Sequence, residues 1–341
     1  MTEKQQREYW IDTLKAICII CVYIAHCESF YCPNYNIARM IVSPFYVNAF
    51  FFINGYLIVR KYFKNNQIDN YSLKEYKKNI QNILFRLVIP TIIFSAIIYI
   101  PKNNFNFDLQ DFSLVVFGGV SLWFTSALSI SQFIIYTLFL SKQRNIWFYV
   151  FITFTIFICI YVFGDVKSKP AIEYIPWFWQ TGLIYTFLMM LGGAYNVYEA
   201  YINRILNKKI IITCIFTAFI ALTIIQMKGF EIFCLGLSGK SNILGITTII
   251  LSLLLLIFFV KQITPNKITN FIGKQSIVFY FLSGAVPSTI LFCIQKISLE
   301  KSYIILTVYI LLSFAISYIA TYIISKYIPF LVDVRTIIKK K

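Results

Sequence analysis

The chain has 341 residues, of which 59% are hydrophobic and only 13% are charged. A soluble domain of this length needs more polar surface, and apolar blocks of roughly 18–22 residues recur throughout, each long enough to cross a bilayer. The formal net charge of +17 does not indicate a nucleic-acid partner, because the basic residues lie mostly in the loops between apolar blocks. Composition therefore predicts an all-α, polytopic membrane protein.

The apolar blocks predict about ten transmembrane helices in one integral-membrane domain that covers residues 1–341. They lie at residues 11–30, 38–60, 83–101, 120–140, 146–163, 175–197, 209–227, 242–261, 276–295 and 303–325. Assigning Lys and Arg to alternate loops places about 21 on the side of both termini and about 8 on the other. This distribution predicts that both termini are cytoplasmic. The first block is also too long for a cleaved signal peptide.

The first predicted helix carries ionisable residues inside an apolar segment, IDTLKAICIICVYIAHC. Such residues are costly in a membrane and usually serve a function. Lys15 and His26, the only histidine of the chain, are eleven positions apart and share one helix face. Their separation along the axis is about 16 Å. Asp12 lies three residues before Lys15, where it can pair with it.

Several interpretations fit this helix. A neutral His26 imidazole can act as a base near pH 7, and Lys15 at the cytoplasmic boundary can hold an anionic cytosolic ligand. Their separation is about the length of an extended pantetheine arm. Alternatively, His26 is a hydrogen-bonding spacer, Lys15 snorkels to the interface, or the helix belongs to a proton-coupled transporter. Glu28 points away from His26 on an unbroken helix and can assist only if the helix unwinds.

Later segments carry further candidate residues. The longest polar stretch, Arg60 to Asn82, has helical spacing in its second half, as in an interfacial helix. Arg86 opens the third predicted span and either snorkels or binds a ligand. Trp123, at the outer end of its span, is an interface anchor or a platform for sugar stacking. Cys18 and Cys21 have CxxC spacing, but an apolar helix in a chain with one histidine predicts no metal site.

The opening segment REYWIDTLKAICIICVYIAHCESF resembles the integral-membrane acyltransferases of family 3, which O-acylate surface polysaccharides and related glycans. Those proteins typically begin with an Arg, an acidic and basic pair, and a histidine, with ten positions between the basic residue and the histidine. Arg7, Asp12, Lys15 and His26 match that pattern. The subgroup that the segment resembles most is the one described as fucose 4-O-acetylase-like.

Further matches follow in the order typical of the family. NAFFFINGYLI resembles its second helix, with Asn54 where serine is usual. FRLVIP, which includes Arg86, is similar to the entry of its third helix, and SLWFTSAL, which includes Trp123, is similar to its "lWF" motif. FIGKQSIVFYFLSG resembles a later motif, with Ser283 where histidine is usual. The resemblance thus covers the first four predicted helices and reappears at Phe271.

The resemblance implies a membrane O-acyltransferase, transferring an acyl group other than an aminoacyl group. Acyl-CoA, and acetyl-CoA in particular, is the implied co-substrate, with no metal. Lys15 and Arg86 are implied to bind the donor phosphates, and His26 either deprotonates the acceptor hydroxyl or carries the acyl group. The supporting or acceptor-side residues are Asp12, Glu28, Asn54 and Trp123.

The implied setting is the cytoplasmic (inner) membrane, in which the protein acts as a stand-alone transferase. Its expected partners are acyl-CoA, a glycan or lipid-linked saccharide acceptor and membrane lipids, with no nucleic acid. Asn54 and Tyr56 also have a packing interpretation, because Gly55 between them lets helices approach closely. The alternative function is a transporter or flippase for a glycan or small molecule, which forms no covalent product.

Overall fold

The computed structural model describes residues 9–32, 37–64, 67–68, 71–103, 105–119, 121–163, 176–228, 243–264, 266–297 and 302–338. Arg7, which matches the family pattern, lies outside them. The helices are α1 (Tyr9–Tyr31), α2 (Ile37–Val42), α3 (Asn48–Tyr62), α4 (Leu73–Ile83), α5 (Ile89–Lys102), α6 (Leu109–Phe117), α7 (Trp123–Leu138), α8 (Ile146–Phe163), α9 (Trp179–Val197), α10 (Glu199–Leu206), α11 (Lys209–Lys228), α12 (Ile243–Val260), α13 (Lys267–Lys274), α14 (Ser276–Lys296), α15 (Tyr303–Tyr327) and α16 (Arg335–Ile338).

The described residues are almost entirely helical, which confirms the all-α prediction. Their only strands form a two-residue antiparallel ribbon of β1 (Phe63–Lys64) and β2 (Gln67–Ile68). The ribbon joins α3 to α4. α4 is the helix expected in the second half of the polar stretch from Arg60 to Asn82, and its presence confirms that expectation. Ser72 caps α4, because its hydroxyl accepts a hydrogen bond from the Glu75 backbone N–H (3.3 Å).

Five helices in the described part of the chain are long and apolar enough to cross a membrane: Tyr9–Tyr31, Leu73–Lys102, Trp123–Ser141, Ser276–Lys296 and Tyr303–Tyr327. A sixth span results if Glu199–Leu206 and Lys209–Ile225, which meet at an angle of 86°, count as one. In the described part of the chain the expected number of about ten is not reached. The 15 residues of α3 are too few for a span of about 20 residues, and the apolar segments found within α8 and α12 are Ile146–Val162 and Gly245–Val260. α9, with 19 residues, is not among the candidate spans. The protein is a multi-pass membrane helix bundle.

The outer helices present apolar side chains to their surroundings rather than to the core. On α15, outward-facing residues include Leu311, Ile316 and Ile319, and the best apolar window of this helix is only 22% buried. On α11, Phe216 and Ile224 are likewise exposed. Continuous exposed apolar surface of this kind is typical of contact with lipid.

Glycines bring α3 and α9 into backbone contact. A Cβ added to Gly55 would lie 1.6 Å from the Met189 carbonyl oxygen, and one added to Gly192 would lie 1.9 Å from the Phe52 carbonyl oxygen. Helices approach this closely only where one of the two residues in contact lacks a Cβ, so that its backbone can lie directly against the other helix. The expectation of a close approach at Gly55 is confirmed, and this contact fixes the position of α3.

The first helix lies at the centre of several others and contacts α2, α3, α12, α13, α14 and α15. α14 runs alongside α1 in the same direction. The Tyr23 hydroxyl donates to the Phe279 carbonyl oxygen (2.9 Å), and further along both helices the His26 ring contacts the Ser283 carbonyl oxygen. Contacts further along α1 thus pair with residues further along α14, so the two helices run parallel, side by side.

A widened turn at Leu84–Val88 joins α4 to α5, and its hydrogen bonds have π-helical spacing. Pro90 explains it, because proline has no N–H to donate and its ring clashes with the carbonyl four residues earlier in an α-helix. That carbonyl belongs to Arg86. The Ile89 N–H bonds instead to the Leu84 carbonyl, five residues back. Such π-turns occur frequently at functional sites.

Candidate functional site: a cationic cavity below His26

A cavity of about 440 Å³ lies between α1, α3, the π-turn, α7, α14 and the segment that follows α15. This volume is in the range of small-molecule sites. Four cationic side chains contribute to its lining: Lys15, Lys61, Arg86 and Lys274. Asp333 contributes a carboxylate. Among the described lining residues one negative charge stands against four positive ones, so the cavity is suited to a polyanion.

Lys15 and Arg86, the residues predicted to bind the donor, line this cavity together. Lys15 is half-buried on α1. Arg86 projects from the π-turn, and 61% of its side chain is exposed. Their meeting depends on tertiary packing, because α1 packs on α14 while the π-turn packs on α7. An ammonium and a guanidinium at one cavity can both make charge-assisted hydrogen bonds to phosphate.

Two further cations were not singled out from the sequence. Lys61, at the end of α3, lies 3.8 Å from a Glu75 carboxylate oxygen and also contacts the Tyr62 hydroxyl (2.5 Å). Lys274 ends α13, directly after Gly273, where an added Cβ would lie 2.0 Å from the backbone oxygen of Asp12. The GK pair in FIGKQS was a signal available in the sequence. Its relation to Lys15 depends on the close contact of α13 with α1.

The segment after α15 closes one side of the cavity. An Asp333 carboxylate oxygen lies 3.3 Å from Arg86 Nε, and Arg335 donates to the same carboxylate from Nε (2.7 Å) and Nη2 (2.5 Å). Arg335 also donates to the Asn82 side-chain oxygen. These hydrogen bonds from Arg335, reinforced by the Arg86 charge, hold the pKa of Asp333 below its usual value. The carboxylate is therefore ionised at neutral pH.

Amide side chains form another part of the cavity wall. Asn54 donates to the Phe50 carbonyl oxygen (2.8 Å) and accepts from Gln132 Nε2 (3.1 Å), which links α3 to α7. Asn79 donates to the Tyr62 hydroxyl (2.7 Å). Asn54 therefore lines the polar wall of the cavity, while the adjacent Gly55 makes the close helix contact that was expected.

Within the part of the chain that the structure describes, His26 has one side-chain hydrogen-bond contact. Its Nδ1 lies 3.0 Å from the Ser283 carbonyl oxygen, and its ring lies 5.9 Å from that of Phe30. A carbonyl oxygen can only accept, so Nδ1 carries the proton and Nε2 of the neutral ring keeps a lone pair. The partner is a backbone atom, so the contact does not depend on a histidine side chain at position 283.

The described residues that line the cavity do not include His26. Tyr280 is the lining residue on α14 nearest to Ser283, three positions or about 4.5 Å along the helix axis. On α1, which is unbroken from Tyr9 to Tyr31, Lys15 and His26 are about 16 Å apart. The cationic cavity and the His26 imidazole thus lie one after the other along the axes of α1 and α14.

Glu28 has a partner of its own, away from His26. Its carboxylate accepts hydrogen bonds from the backbone N–H groups of Ala38 (3.0 Å) and Arg39 (2.7 Å), and so holds the start of α2. α1 continues as a helix to Tyr31, so the unwinding that would turn Glu28 toward His26 does not occur.

Asp12 and Trp123 each occupy a packed position. Asp12 is buried, with 5% exposure, where α13 packs on α1. Trp123 begins α7, and its ring lies 6.3 Å from that of Phe178 and 6.4 Å from that of Tyr185. An aromatic cluster therefore surrounds Trp123, and the described cavity lining does not include it.

The profile described as an acyltransferase domain matches residues 8–325, from the start of α1 into α15. No curated protein and no solved structure matches the chain. The matched residues include Lys15, His26, Arg86 and Lys274, and they end before Asp333. The chain therefore belongs to acyltransferase family 3.

Proposed function

We propose that this membrane acyltransferase is an O-acetyltransferase that moves an acetyl group from acetyl-CoA to a hydroxyl of a surface or lipid-linked glycan. The observation that carries the proposal is the cationic cavity, which Lys15 and Arg86 line together. Lys15 lies on α1, the same helix that carries His26. The family supplies the reaction class. The fucose 4-O-acetylase-like subgroup is part of the proposal and rests on the sequence motifs.

In this proposal the cavity binds the phosphates of the donor. Acyl-CoA carries its phosphates at the nucleotide end and its thioester at the end of the pantetheine arm. Lys15, Arg86, Lys61 and Lys274 supply four positive charges at one end of the path. The arm extends along α1 and α14 toward His26, over about 16 Å. The amides of the cavity wall add neutral hydrogen-bonding groups.

His26 supplies the lone pair for acyl transfer. As a base, Nε2 takes the proton of the acceptor hydroxyl, the hydroxyl oxygen bonds to the acyl carbon, and the carbon–sulfur bond breaks to release coenzyme A thiolate. As a carrier, Nε2 itself attacks the acyl carbon and the hydroxyl then displaces it. The Ser283 carbonyl fixes the tautomer that either route needs. In both routes the released thiolate takes up a proton to give coenzyme A.

The proposed orientation places the cavity on the cytoplasmic side and His26 toward the outer side. It rests on the excess of Lys and Arg in the loops on the side of both termini. With this orientation a donor from the cytoplasm and an acceptor from outside the cytoplasmic membrane reach His26 from opposite ends. An acceptor hydroxyl on a lipid-linked or surface glycan fits that arrangement.

The test is the surface glycan of a strain from which the gene has been deleted. The proposal predicts loss of an alkali-labile acetyl ester, restored by the wild-type protein and not by His26→Ala at equal expression. Restoration by Lys208→Ala, a change at an exposed lysine before α11, serves as the control. Loss of glycan export with the ester content of the remaining glycan unchanged would instead support a transporter.

A further inference from the structure

The four residues after the turn that ends α15, Val332 to Arg335, are attached to the π-turn by several contacts. The Val334 backbone N–H donates to the Phe85 carbonyl oxygen (3.4 Å), and Asp333 pairs with Arg86 (3.3 Å). Arg335 reaches Asn82 on α4. This segment lies beyond the residues that the family profile matches, so the motifs of the family do not account for it.

Asp333 is placed inside the cavity rather than behind it. Its side chain lines the cavity together with the cations, and it is 21% exposed. One of its oxygens, Oδ2, contacts both Arg86 and Arg335. Another acid, Glu75, also pairs with a cavity cation, Lys61, but does not belong to the lining. Asp333 therefore occupies a position where an anionic ligand would bind.

The charges favour an exchange between Asp333 and a ligand. Four cations around one cavity repel one another, and a carboxylate among them reduces that repulsion. A phosphate group offers more charge and more acceptor oxygens to the same guanidinium than a carboxylate does. Arg335 gives Asp333 a second cationic partner outside the cavity lining, so the carboxylate keeps a strong hydrogen bond when it leaves Arg86.

We infer that Asp333 is a resident counter-ion of the cationic cavity and determines how tightly the cavity binds a polyanion. A phosphate of the ligand replaces Asp333 on Arg86, and Asp333 then pairs with Arg335 alone. The inference rests on the proposed function only in naming acyl-CoA as the natural ligand. The exchange itself is a property of the anion site and applies to any compact polyphosphate.

The experiment measures equilibrium binding of inorganic pyrophosphate, and in parallel of coenzyme A, to the purified full-length protein. Asp333→Asn and Asp333→Ser both remove the charge, so one poorly folding variant does not decide the result. Glu75→Gln is the matched control, because it removes an acid that pairs with a cavity cation from outside the lining. Because the Asp333 pair is partly exposed, we expect pyrophosphate binding to tighten by about three- to ten-fold in both Asp333 variants.

Tighter pyrophosphate binding in the Asp333 variants, with a smaller change in Glu75→Gln, supports the counter-ion role. Unchanged or weaker binding in both Asp333 variants overturns it, as does an equal gain in Glu75→Gln, which would reflect net charge alone. If pyrophosphate binding tightens while coenzyme A does not bind any of the proteins, the counter-ion role stands and the proposed donor is wrong. Failure of the inference and failure of the proposed function are therefore separate results.

Discussion

Gly273 is the residue at which α13 touches α1 backbone to backbone, and an alanine at this position tests how the cationic cavity is assembled. A Cβ there would lie 2.0 Å from the Asp12 carbonyl oxygen and 2.6 Å from its carbonyl carbon. Ordinary contact begins at 3.4 Å, so the two backbones must separate by about 1.4 Å, the difference between the two distances. The neighbouring atoms belong to the backbone and cannot rotate away. The change therefore moves α13, and Lys274 with it, away from α1.

The expected magnitude follows from two opposing effects. Overpacking of this kind destabilises by about 1–3 kcal/mol. Replacing glycine by alanine within a helix contributes about 0.5–1 kcal/mol in the other direction, because alanine loses less backbone entropy. We therefore expect Gly273→Ala to have a net destabilising effect of about 1 kcal/mol. Coenzyme A binding should also weaken, since Lys274 is displaced from the other cations.

The assay is thermal unfolding in detergent together with coenzyme A affinity. Gly284→Ala is the control, because a Cβ there would lie 3.4 Å from the Cγ2 methyl of Ile98, an ordinary van der Waals contact with a side chain. It repeats the change in helix propensity without the backbone collision. If Gly273→Ala unfolds no earlier than Gly284→Ala and binds coenzyme A as the wild type does, the close contact between α13 and α1 does not position the cavity.

Three further predictions concern separate parts of the molecule. His26→Ala should abolish acyl transfer and leave coenzyme A binding largely intact. Lys15→Ala should weaken coenzyme A binding, and Lys15→Arg should partly restore it. Measurements of acyl transfer and coenzyme A affinity on the purified variants test these expectations. Because its folded-state pKa is depressed, Asp333 stabilises the protein above its unfolded pKa of 3.8, and this contribution is lost as the pH falls through the folded pKa. Asp333→Asn should therefore unfold earlier than the wild type at pH 7, with a difference that shrinks below about pH 4 in parallel melts. Reporters inserted near Lys208 and Asn106 should report cytoplasm and exterior respectively, and the same location for both would refute the proposed orientation.

Local features of the protein could be predicted from the sequence because helix geometry determines them. The separation of Lys15 and His26 follows from the rise of one unbroken helix, and the structure has that helix from Tyr9 to Tyr31. The apolar composition determines the all-α membrane class for the same reason, since in lipid each backbone polar group needs a partner within its own helix. Pro90 likewise favours the widened turn, because it has no N–H for a regular α-helical hydrogen bond.

The lengths of the membrane-spanning helices were not determined in this way. Residues 38–60 form one apolar block in the sequence, but the chain breaks it into the short α2 and the 15 residues of α3. The break lies at residues 43–47, where the Pro44 carbonyl oxygen accepts hydrogen bonds from the Asn48 side chain (2.8 Å) and from Ser252 on α12 (3.2 Å). Hydropathy averages over such interruptions, which depend on contacts between helices.

The residues that join Lys15 and Arg86 in the candidate site were decided by tertiary structure. Lys61, Lys274 and Asp333 lie in three distant parts of the sequence, and none has a local pattern that relates it to Lys15. They meet because glycine contacts set the distances between helices and because the chain turns back onto the π-turn after α15. The sequence determines which residues share a helix face, whereas the packing of the helices determines which faces enclose a cavity.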